Sequence, residues 1–511
     1  MIAPDALAEP EARPHAARGP RSSAALAWVA FALAGGVAFA TQFGRDGYLV
    51  APWIALAPLL LLLGSPRPAL LGWLHGIAYW LAAIPWIAST LREYGQLPGW
   101  LSWALLLLLA AYLGLYTSAF AGLGARLWRR GGWAAMLGLP ALWVALEVLR
   151  GWLGSGFPWN LAAYAWVEVP GALPLASWVG PWGVSFLVVL ANLGVAIAVA
   201  RRRFRLGALA LLVPFALLPF AGRFAHGASR PGAAQPVRVL QPNIANMVTY
   251  DPLPALRNYQ RVLAMSEAAC DVGGALVVWP ESAGWPYDYP TDPGLTANLR
   301  TLAARGCPIL FNTAFEIENT WRNAAFVLSP DGSDQRADKR HLVPFGEYVP
   351  AKALFPFIEG LARNAGDFTA ASELRLLEWG RERLAVAICF EVIFPGEVAQ
   401  AVQAGATTLV TITNDAWYGD TSAPWQHFRA ARFRAAEEWR PLVRAAITGV
   451  SALVRADGSV AAQLGPFEQG TLRGNLRGGV GLSPYARAPW LGPVLACLLA
   501  SLALMGSRRR S

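Results

Sequence analysis

A series of apolar runs constrains this chain more than any other feature of its sequence. The runs lie at 23–42, 47–64, 69–90, 101–124, 133–150, 175–200 and 206–222, and one more lies at 489–506. Most of them approach the roughly 20 residues that a helix needs to cross a bilayer. The run at 47–64 is shorter, and Pro52 and Pro58 interrupt it. The pattern predicts an α-helical membrane bundle of seven spans, with an eighth span near the end of the chain.

Arginines cluster in alternate connections between these runs. If the N-terminal tail is cytoplasmic, the cytoplasmic segments hold Arg13, Arg18, Arg21, Arg67, Arg126, Arg129, Arg130, Arg201, Arg202, Arg203, Arg205, Arg508, Arg509 and Arg510. The outer connections hold only Arg45, Arg92 and Arg150. Because basic residues favour the cytoplasmic side of a membrane, the segment 223–488 is predicted to face outward. The same clustering accounts for the net charge of +10 without a nucleic-acid partner.

The start of the chain has a second interpretation, which is a secretory signal peptide. The run at 23–42 is long for the apolar part of a signal peptide, and similar runs follow it directly. An uncleaved first span is therefore favoured. We expect a polar cytoplasmic tail at 1–22, a seven-span region at 23–222, a catalytic domain at 223–488, and a last span with a basic tail at 489–511.

The segment from residue 236 onward alternates short apolar stretches with amphipathic ones. Strands are predicted at 237–243, 275–279, 308–313, 323–328, 384–388 and 408–413, and helices at 255–269, 295–305 and 428–439. Strands that alternate with helices are typical of an α/β domain. The chain is thus expected to combine a helical membrane bundle with an extracytoplasmic α/β domain.

Three motifs in this domain carry reactive side chains. Cys389 follows the apolar run 384–388 at a sharp turn, Glu281 follows the strand 275–279, and Lys339 lies in the polar turn before a Pro/Gly-rich loop. A carboxylate that takes the thiol proton, a thiolate that attacks a carbonyl, and an ammonium beside the oxyanion together suit a thiol acyl transferase. A buried structural cysteine, a helix-capping glutamate and a solvated lysine are the alternative for each residue alone.

The remaining cysteines and a histidine suggest no further chemistry. The cysteines Cys270, Cys307 and Cys497 show no CxxC or Cys/His spacing, so neither a metal site nor a disulfide is expected. A thiolate at Cys389 would also exchange with a nearby disulfide. His427 has no paired acid at triad spacing, and we interpret it as a structural residue or a surface contact.

Read together, the motifs resemble a known family. The segments WPES, KRHLVPFGEYVP, AICFE, NDAWYG and PWQHF, placed between seven spans and one, are similar to those of the apolipoprotein N-acyltransferases, membrane members of the nitrilase superfamily. The resemblance covers nearly the whole chain. It implies an αββα sandwich of the nitrilase type in the catalytic domain.

The resemblance also implies an activity. The family moves an acyl chain from a membrane phospholipid to the α-amine of a diacylglyceryl-cysteine apolipoprotein, without a cofactor, at the bacterial inner membrane with the catalytic domain periplasmic. Carried over, it makes Cys389 the nucleophile, Glu281 the base and Lys339 the oxyanion partner. Supporting or substrate-binding roles fall to Glu347, Glu391, Phe390, Tyr250, Asn414 and Trp417.

Three positions depart from the family's pattern. Phe390 stands where Tyr is frequent, Tyr250 where Trp is frequent, and Ile447 where Asn is common. They leave the substrate preference open. Two other functions stay possible at this point: a membrane-tethered amidohydrolase in which water resolves the thioester, and a scaffold or transporter with an inactive nitrilase-like domain.

Overall fold

The computed structural model describes residues 20–46, 49–201, 204–224, 228–229, 233–246, 251–317, 319–349 and 367–506. Its N-terminal part is helical. The helices are α1 (Pro20–Thr41), α2 (Ala57–Leu62), α3 (Pro68–Ala83), α4 (Trp86–Glu93), α5 (Gly99–Arg130), α6 (Gly132–Arg150), α7 (Ala172–Arg201) and α8 (Phe204–Phe224). Long apolar runs with few charges explain why helices dominate here, since a helix satisfies its own backbone hydrogen bonds in a lipid environment.

Four of the described helices are long and apolar enough to cross a membrane, namely α1, α5, α6 and α7. The predicted run 69–90 forms α3 and α4, which are bent by 55° and make a fifth candidate if they count as one span. Run 47–64 holds only a 3-10 turn at Ala51–Trp53 and the short helix α2, because its prolines interrupt it. The count of eight spans stays a prediction.

The C-terminal part begins with a two-residue strand β1 (Ala228–Ser229) and contains two six-stranded sheets. The first has the order β13-β2-β3-β4-β5-β6, from β2 (Gln235–Gln241), β3 (Leu276–Val278), β4 (Ile309–Ile317), β5 (Thr320–Leu328), β6 (Asp334–Asp338) and β13 (Gly470–Leu476). The second has the order β12-β11-β10-β9-β8-β7, from β7 (Leu377–Trp379), β8 (Glu382–Ile388), β9 (Thr408–Thr413), β10 (Leu442–Ala446), β11 (Ser451–Val454) and β12 (Val460–Leu464). A short strand β14 (Gly479–Val480) pairs with β1.

Side-chain alternation along the strands fills three separate layers. Val410 and Ile412 of β9 lie between the two sheets, whereas Leu409 packs on the opposite face. Helices α9 (Pro252–Ala269) and α10 (Pro293–Ala304) cover the outer face of the first sheet. Helices α11 (Pro395–Gln403) and α12 (Ala423–Glu438) cover that of the second. The domain is therefore the αββα sandwich that the motifs predicted.

The α11/α12 layer also contacts the N-terminal helices, with which it shares one continuous apolar core. Gln426 on α12 donates from Nε2 to the carbonyls of Phe43 (3.1 Å) and Ala83 (2.8 Å). Arg429, one turn further, donates to the carbonyl of Gly44 at 2.6 Å. The chain then ends with α13 (Pro484–Arg487) and α14 (Leu491–Met505), a 15-residue apolar helix at the predicted last span.

The structure contradicts one prediction outright, because Cys270 and Cys307 form a disulfide. Cys270 caps the end of α9 and Cys307 precedes β4, so both lie where the parallel strands β3 and β4 begin. Glu281 follows the opposite end of β3. The expectation rested on the cysteine spacing and on exchange with the thiol of Cys389. The separation across the sheet removes the second reason, and the first fails because the fold, not the spacing, brings the two cysteines together.

The six predicted strands of the domain all exist, with ends shifted by a few residues. The sequence pattern did not predict the other described strands, β1, β6, β7 and β10 to β14, most of which have five residues or fewer. The parallel strands β8, β9 and β10 end at one edge of the second sheet, and β2, β3 and β4 end at one edge of the first. This arrangement brings the residues after β3, β6, β8 and β9 together.

Candidate active site

Cys389 is the first residue after β8 and opens a 3-10 turn, Cys389–Ile393. Its φ of +55° is a conformation that non-glycine residues rarely adopt, and it turns the chain sharply out of the strand. The side chain is buried. Burial and the carboxylate of Glu281 raise the pKa of the Cys389 thiol, against the lowering effect of Lys339. The residue therefore rests as a thiol and needs a base to become a nucleophile.

Glu281 and Lys339 meet beside this turn. Lys339 Nζ lies 3.6 Å from Glu281 Oε1, and only 1% of the lysine side chain is exposed. The other carboxylate oxygen of Glu281 accepts from the backbone N–H of Asn414 at 3.0 Å, which ties the residue to the end of β9. Burial lowers the pKa of Lys339, but nearby carboxylates outweigh this effect and raise it. Lys339 is thus a permanent cation in the site.

Glu347 is the second carboxylate that holds Lys339. Its Oε1 lies 2.8 Å from Lys339 Nζ, and its Oε2 accepts from the backbone N–H of Val343 at 2.7 Å. Asn323, from the middle of β5, donates from Nδ2 to both Glu347 Oε1 (2.7 Å) and Glu281 Oε1 (3.3 Å). Its own Oδ1 accepts from Asn312 at 2.6 Å. Two amides from neighbouring strands therefore fix both carboxylates around the lysine.

Glu391, two residues after Cys389, accepts hydrogen bonds from three backbone N–H groups. Its Oε1 accepts from the backbone N–H groups of Arg340 (2.7 Å) and His341 (3.1 Å), and its Oε2 from that of Ile388 (2.7 Å). Burial raises the pKa of Glu391 to about 7, while Lys339 and the three N–H donors act in the opposite direction. The side chain thereby connects the lysine-bearing loop to the nucleophile turn.

The other predicted site residues do not share one environment with the lysine and its carboxylates. Asn414 caps the turn after β9, since its Oδ1 accepts from Ala416 N at 3.2 Å. Phe390 is buried against the ring of Phe394, with centroids 5.2 Å apart. Trp417 is 44% exposed and its ring lies 4.7 Å from that of Tyr94 in the helical region. Tyr250 lies outside the described residues.

Ile447, the third departure from the family pattern, is buried in the core below α9 and α10. Its backbone carbonyl accepts from the N–H of Asn243 at 2.9 Å, and its own N–H donates to Thr413 O at 3.1 Å. The side chain is therefore part of the apolar packing, whereas the backbone of this position supports the loops at the site edge.

A buried network that the sequence motifs did not predict lies behind Cys389. The Nε2 atom of His427 lies 3.0 Å from the carbonyl oxygen of Cys389, and its Nδ1 atom lies 3.2 Å from Asp415 Oδ1. Asp415 also pairs with Arg444 at 2.8 Å, and all three side chains are fully buried. His427 is therefore a structural residue, which is one of the two interpretations given above, and not a surface contact. Its acid partner is Asp415, and this aspartate 12 residues earlier in the sequence could have indicated the pairing.

The arrangement can activate a thiol without solvent. A carboxylate and an ammonium lie beside a buried Cys389, and hydrogen bonds from three chain segments, at Asn323, Glu347 and Asn414, hold them. Tyr418 adds a phenol that interacts with the thiol, and burial raises its pKa well above the ordinary value. Such a site can transfer an acyl group through a thioester.

Two parts of the chain match known family models. Residues 237–482 match the carbon-nitrogen hydrolase family, and residues 23–194 match the apolipoprotein N-acyltransferase N-terminal domain. Among solved structures, Nit3 of Saccharomyces cerevisiae, a member of branch 10 of the nitrilase superfamily, is 17% identical. The match covers 49% of this chain and 93% of that one, with a TM-score of 0.38.

Relatives match over nearly the whole chain. An apolipoprotein N-acyltransferase of Geobacter metallireducens is 36% identical over 504 residues, which are 94% of this chain and 95% of that protein. One of Ralstonia nicotianae is 36% identical over 467 residues, which are 87% of this chain and 86% of that protein. The resemblance inferred from the motifs is therefore confirmed, and the chain belongs to the apolipoprotein N-acyltransferase family.

Proposed function

We propose that this protein transfers an acyl chain from a membrane phospholipid to the α-amine of diacylglyceryl-cysteine apolipoproteins, through a thioester on Cys389. The observation that carries the proposal is the buried cluster of Glu281, Lys339 and Cys389, placed on a domain that packs against apolar helices. A nucleophile, a base and a fixed cation are the groups that acyl transfer requires.

The first half-reaction forms the thioester. Glu281 takes the thiol proton, and the Cys389 sulfur attacks the ester carbonyl of the phospholipid. The tetrahedral oxyanion is stabilised by Lys339. When the ester C–O bond breaks, the leaving alkoxide receives the proton from Glu281 and departs as a lysophospholipid.

In the second half-reaction, Glu281 again accepts a proton and then returns it. The α-amine of the apolipoprotein attacks the thioester carbonyl and gives its proton to Glu281. The C–S bond then breaks, an amide is released, and the thiolate regains the proton. Because two bulky lipids need not occupy the site at once, the covalent intermediate makes an ester-to-amide transfer feasible.

The test is acylation of the full-length protein in detergent by radiolabelled phospholipid alone. Wild type should gain label that neutral hydroxylamine removes, and Cys389→Ala should gain none. The matched control is Cys497→Ala, which replaces the other free cysteine, an exposed one on α14, and should label normally. Turnover by Cys389→Ala comparable to that of the wild type would refute the assignment of Cys389 as the nucleophile. Release of free fatty acid without any transfer to an apolipoprotein peptide would instead favour an amidohydrolase.

We also propose that the domain is periplasmic in a bacterial inner membrane. The arginine distribution supports this orientation, and so does the disulfide, because disulfides persist in oxidising compartments. A cysteine introduced at the exposed turn residue Gly332 should react with a membrane-impermeant maleimide in intact spheroplasts. Labelling only after lysis would place the domain in the cytoplasm.

A further inference from the structure

His427 is a buried group that the proposed mechanism does not use, although it contacts the nucleophile residue. It lies on α12, immediately after Gln426, and has no exposed surface. Its ring contacts three polar groups from three other elements: the carbonyl of Cys389, Asp415 after β9, and Arg444 of β10. The ring of Trp159 stacks on it with centroids 5.5 Å apart. Such a fully enclosed imidazole has a fixed orientation.

The partners determine where the ring proton lies. The carbonyl oxygen of Cys389 can only accept, so Nε2, at 3.0 Å, is the donor. Nδ1 lies between Arg444 Nη2, a donor at 3.1 Å, and Asp415 Oδ1, an acceptor at 3.2 Å. Burial and the charge of Arg444 lower the pKa of His427, and the opposing effect of Asp415 is smaller. The neutral ring carries one proton, which the carbonyl of Cys389 places on Nε2, so Nδ1 accepts from Arg444.

Asp415 holds Arg444 in place beside Nδ1 of His427. Asp415 Oδ2 accepts from Arg444 at 2.8 Å, and its Oδ1 accepts from the hydroxyl of Thr413 at 2.8 Å. Although burial opposes ionisation, the charge of Arg444 lowers the pKa of Asp415 to about 2. A Cβ at Gly449 would lie 2.2 Å from Asp415 Oδ2, so this position leaves room for the carboxylate only as glycine. The ion pair is thus rigid and keeps Arg444 pointed at Nδ1.

We propose that His427 is a positioning residue, which holds the carbonyl of Cys389 through Nε2–H and so fixes the direction of the nucleophilic thiol. The backbone of Cys389 has a φ of +55°, a conformation that costs energy for a residue with a side chain. An external hydrogen bond to its carbonyl stabilises that conformation. This inference rests on the proposed function, in which Cys389 is the nucleophile and phospholipid the acyl donor.

A general base is the other function that a histidine beside a cysteine suggests. Both ring nitrogens of His427 are already engaged, one with a backbone carbonyl and one with a guanidinium. Nε2 carries the proton and the lone pair of Nδ1 faces Arg444, so neither nitrogen is available to the thiol. The structure therefore assigns the proton transfer to Glu281 and the positioning to His427.

Two substitutions separate donor geometry from mere occupancy of the space. His427→Gln places an amide N–H near the position of Nε2 and keeps the donor, whereas His427→Asn is shorter and cannot reach Cys389 O. With phospholipid as donor, we expect His427→Gln to keep kcat within about tenfold of wild type. His427→Asn should lose on the order of 10²-fold in kcat, since a displacement of about 1 Å can cost that much, with KM for phospholipid unchanged.

The alkylation rate of Cys389 by iodoacetamide is measured in parallel, in a Cys497→Ala background. It should fall in His427→Asn and recover in His427→Gln. This readout does not involve acyl transfer, so it separates a failure of this inference from a failure of the proposed function. Equal rates in the two variants, with both folded, would overturn the positioning role.

A measurement on the wild type covers the case in which the variants do not fold. Nitrogen-15 labelling of the five histidines allows the tautomer to be read directly by NMR in detergent micelles. The His427 ring, which faces Asp415, Arg444 and Cys389, should show Nε2–H and should titrate at a lower pH than an ordinary histidine, whose pKa is about 6.5. A neutral ring with its proton on Nδ1 and none on Nε2 would refute the inference.

Discussion

Replacement of Lys339 by Met tests the charge balance of the site most directly. The change keeps the length of the side chain and removes its charge. In the wild type, Lys339 Nζ lies 2.8 Å from Glu347 Oε1 and 3.6 Å from Glu281 Oε1. At an effective dielectric constant of about 20, these separations correspond to attractions of about 6 and about 5 kcal/mol.

The cost of the substitution to stability is smaller than these attractions, because Met avoids the desolvation of a buried ammonium. Two carboxylates remain, however, and their side chains are only 8% and 12% exposed. Deletion of one partner from a buried ion pair typically costs about 3–5 kcal/mol. Asn323 still donates to both carboxylates and limits the loss. We therefore expect Lys339→Met to lower the free energy of unfolding by about 3–5 kcal/mol.

A second substitution distinguishes the structural effect from the catalytic one. In the double variant Lys339→Met/Glu347→Gln, one buried negative charge is removed along with the buried positive one. Its stability should recover by several kcal/mol relative to the single variant, since one uncompensated carboxylate is gone. Thioester formation should stay reduced by about 10²–10³, because no cation faces the oxyanion.

The assay combines chemical denaturation in detergent with single-turnover labelling by phospholipid. Arg340→Met is the matched control, since it removes the neighbouring cation, whose guanidinium binds Gln400 away from the two carboxylates. Its stability should change little, as expected for a partly exposed side chain. Recovery of labelling in the double variant would refute the oxyanion role of Lys339. Unchanged stability in Lys339→Met would refute the electrostatic argument.

Two further predictions concern residues around the site. Glu391 has a folded-state pKa of about 7, above that of an unfolded glutamate. It should therefore contribute about 3 kcal/mol below about pH 4 that is lost as the pH rises through 7. Denaturation curves of wild type and Glu391→Gln that run parallel across this range would contradict this. Replacing Cys270 and Cys307 by Ser should lower the free energy of unfolding by about 2–4 kcal/mol, because 37 residues separate them. Acylation should persist, and its loss in folded protein would contradict the separation from the site.

The secondary-structure predictions are correct for elements whose position depends on the local pattern of apolar residues. The apolar run 384–388 is a strand because its small and branched residues lie between two layers and a charged turn precedes it. The strand β10 was missed because Arg444 interrupts its apolar run. That arginine is buried only because Asp415, from another strand end, neutralises it. Such compensation arises from tertiary structure and leaves no periodicity in the sequence.

The candidate site likewise combines residues that the local sequence predicts with residues that only the tertiary structure brings together. Glu281, Lys339 and Cys389 could be recognised because each follows an apolar strand or a turn at the end of an element. Asn323 lies in the middle of β5, where a polar residue has the same appearance as any strand residue. The partner of His427 is a backbone carbonyl, which every residue has. The disulfide partners are likewise joined only by the fold, since their spacing carries no signal.

Helix α12 links the chemistry to the apolar helices through two adjacent residues. Gln426 binds the carbonyls of Phe43, two residues after α1, and of Ala83, the last residue of α3, and accepts from the indole of Trp159 at 2.7 Å. His427, the next residue, holds the carbonyl of Cys389. A shift of the apolar helices against the domain would therefore displace the helix that fixes the nucleophile. On the proposed function, both substrates stay in the bilayer, so the thiol has to be held in a fixed position relative to the lipid. The adjacent pair on α12 provides that link, because the residue that binds the helices and the residue that orients the thiol share one rigid turn.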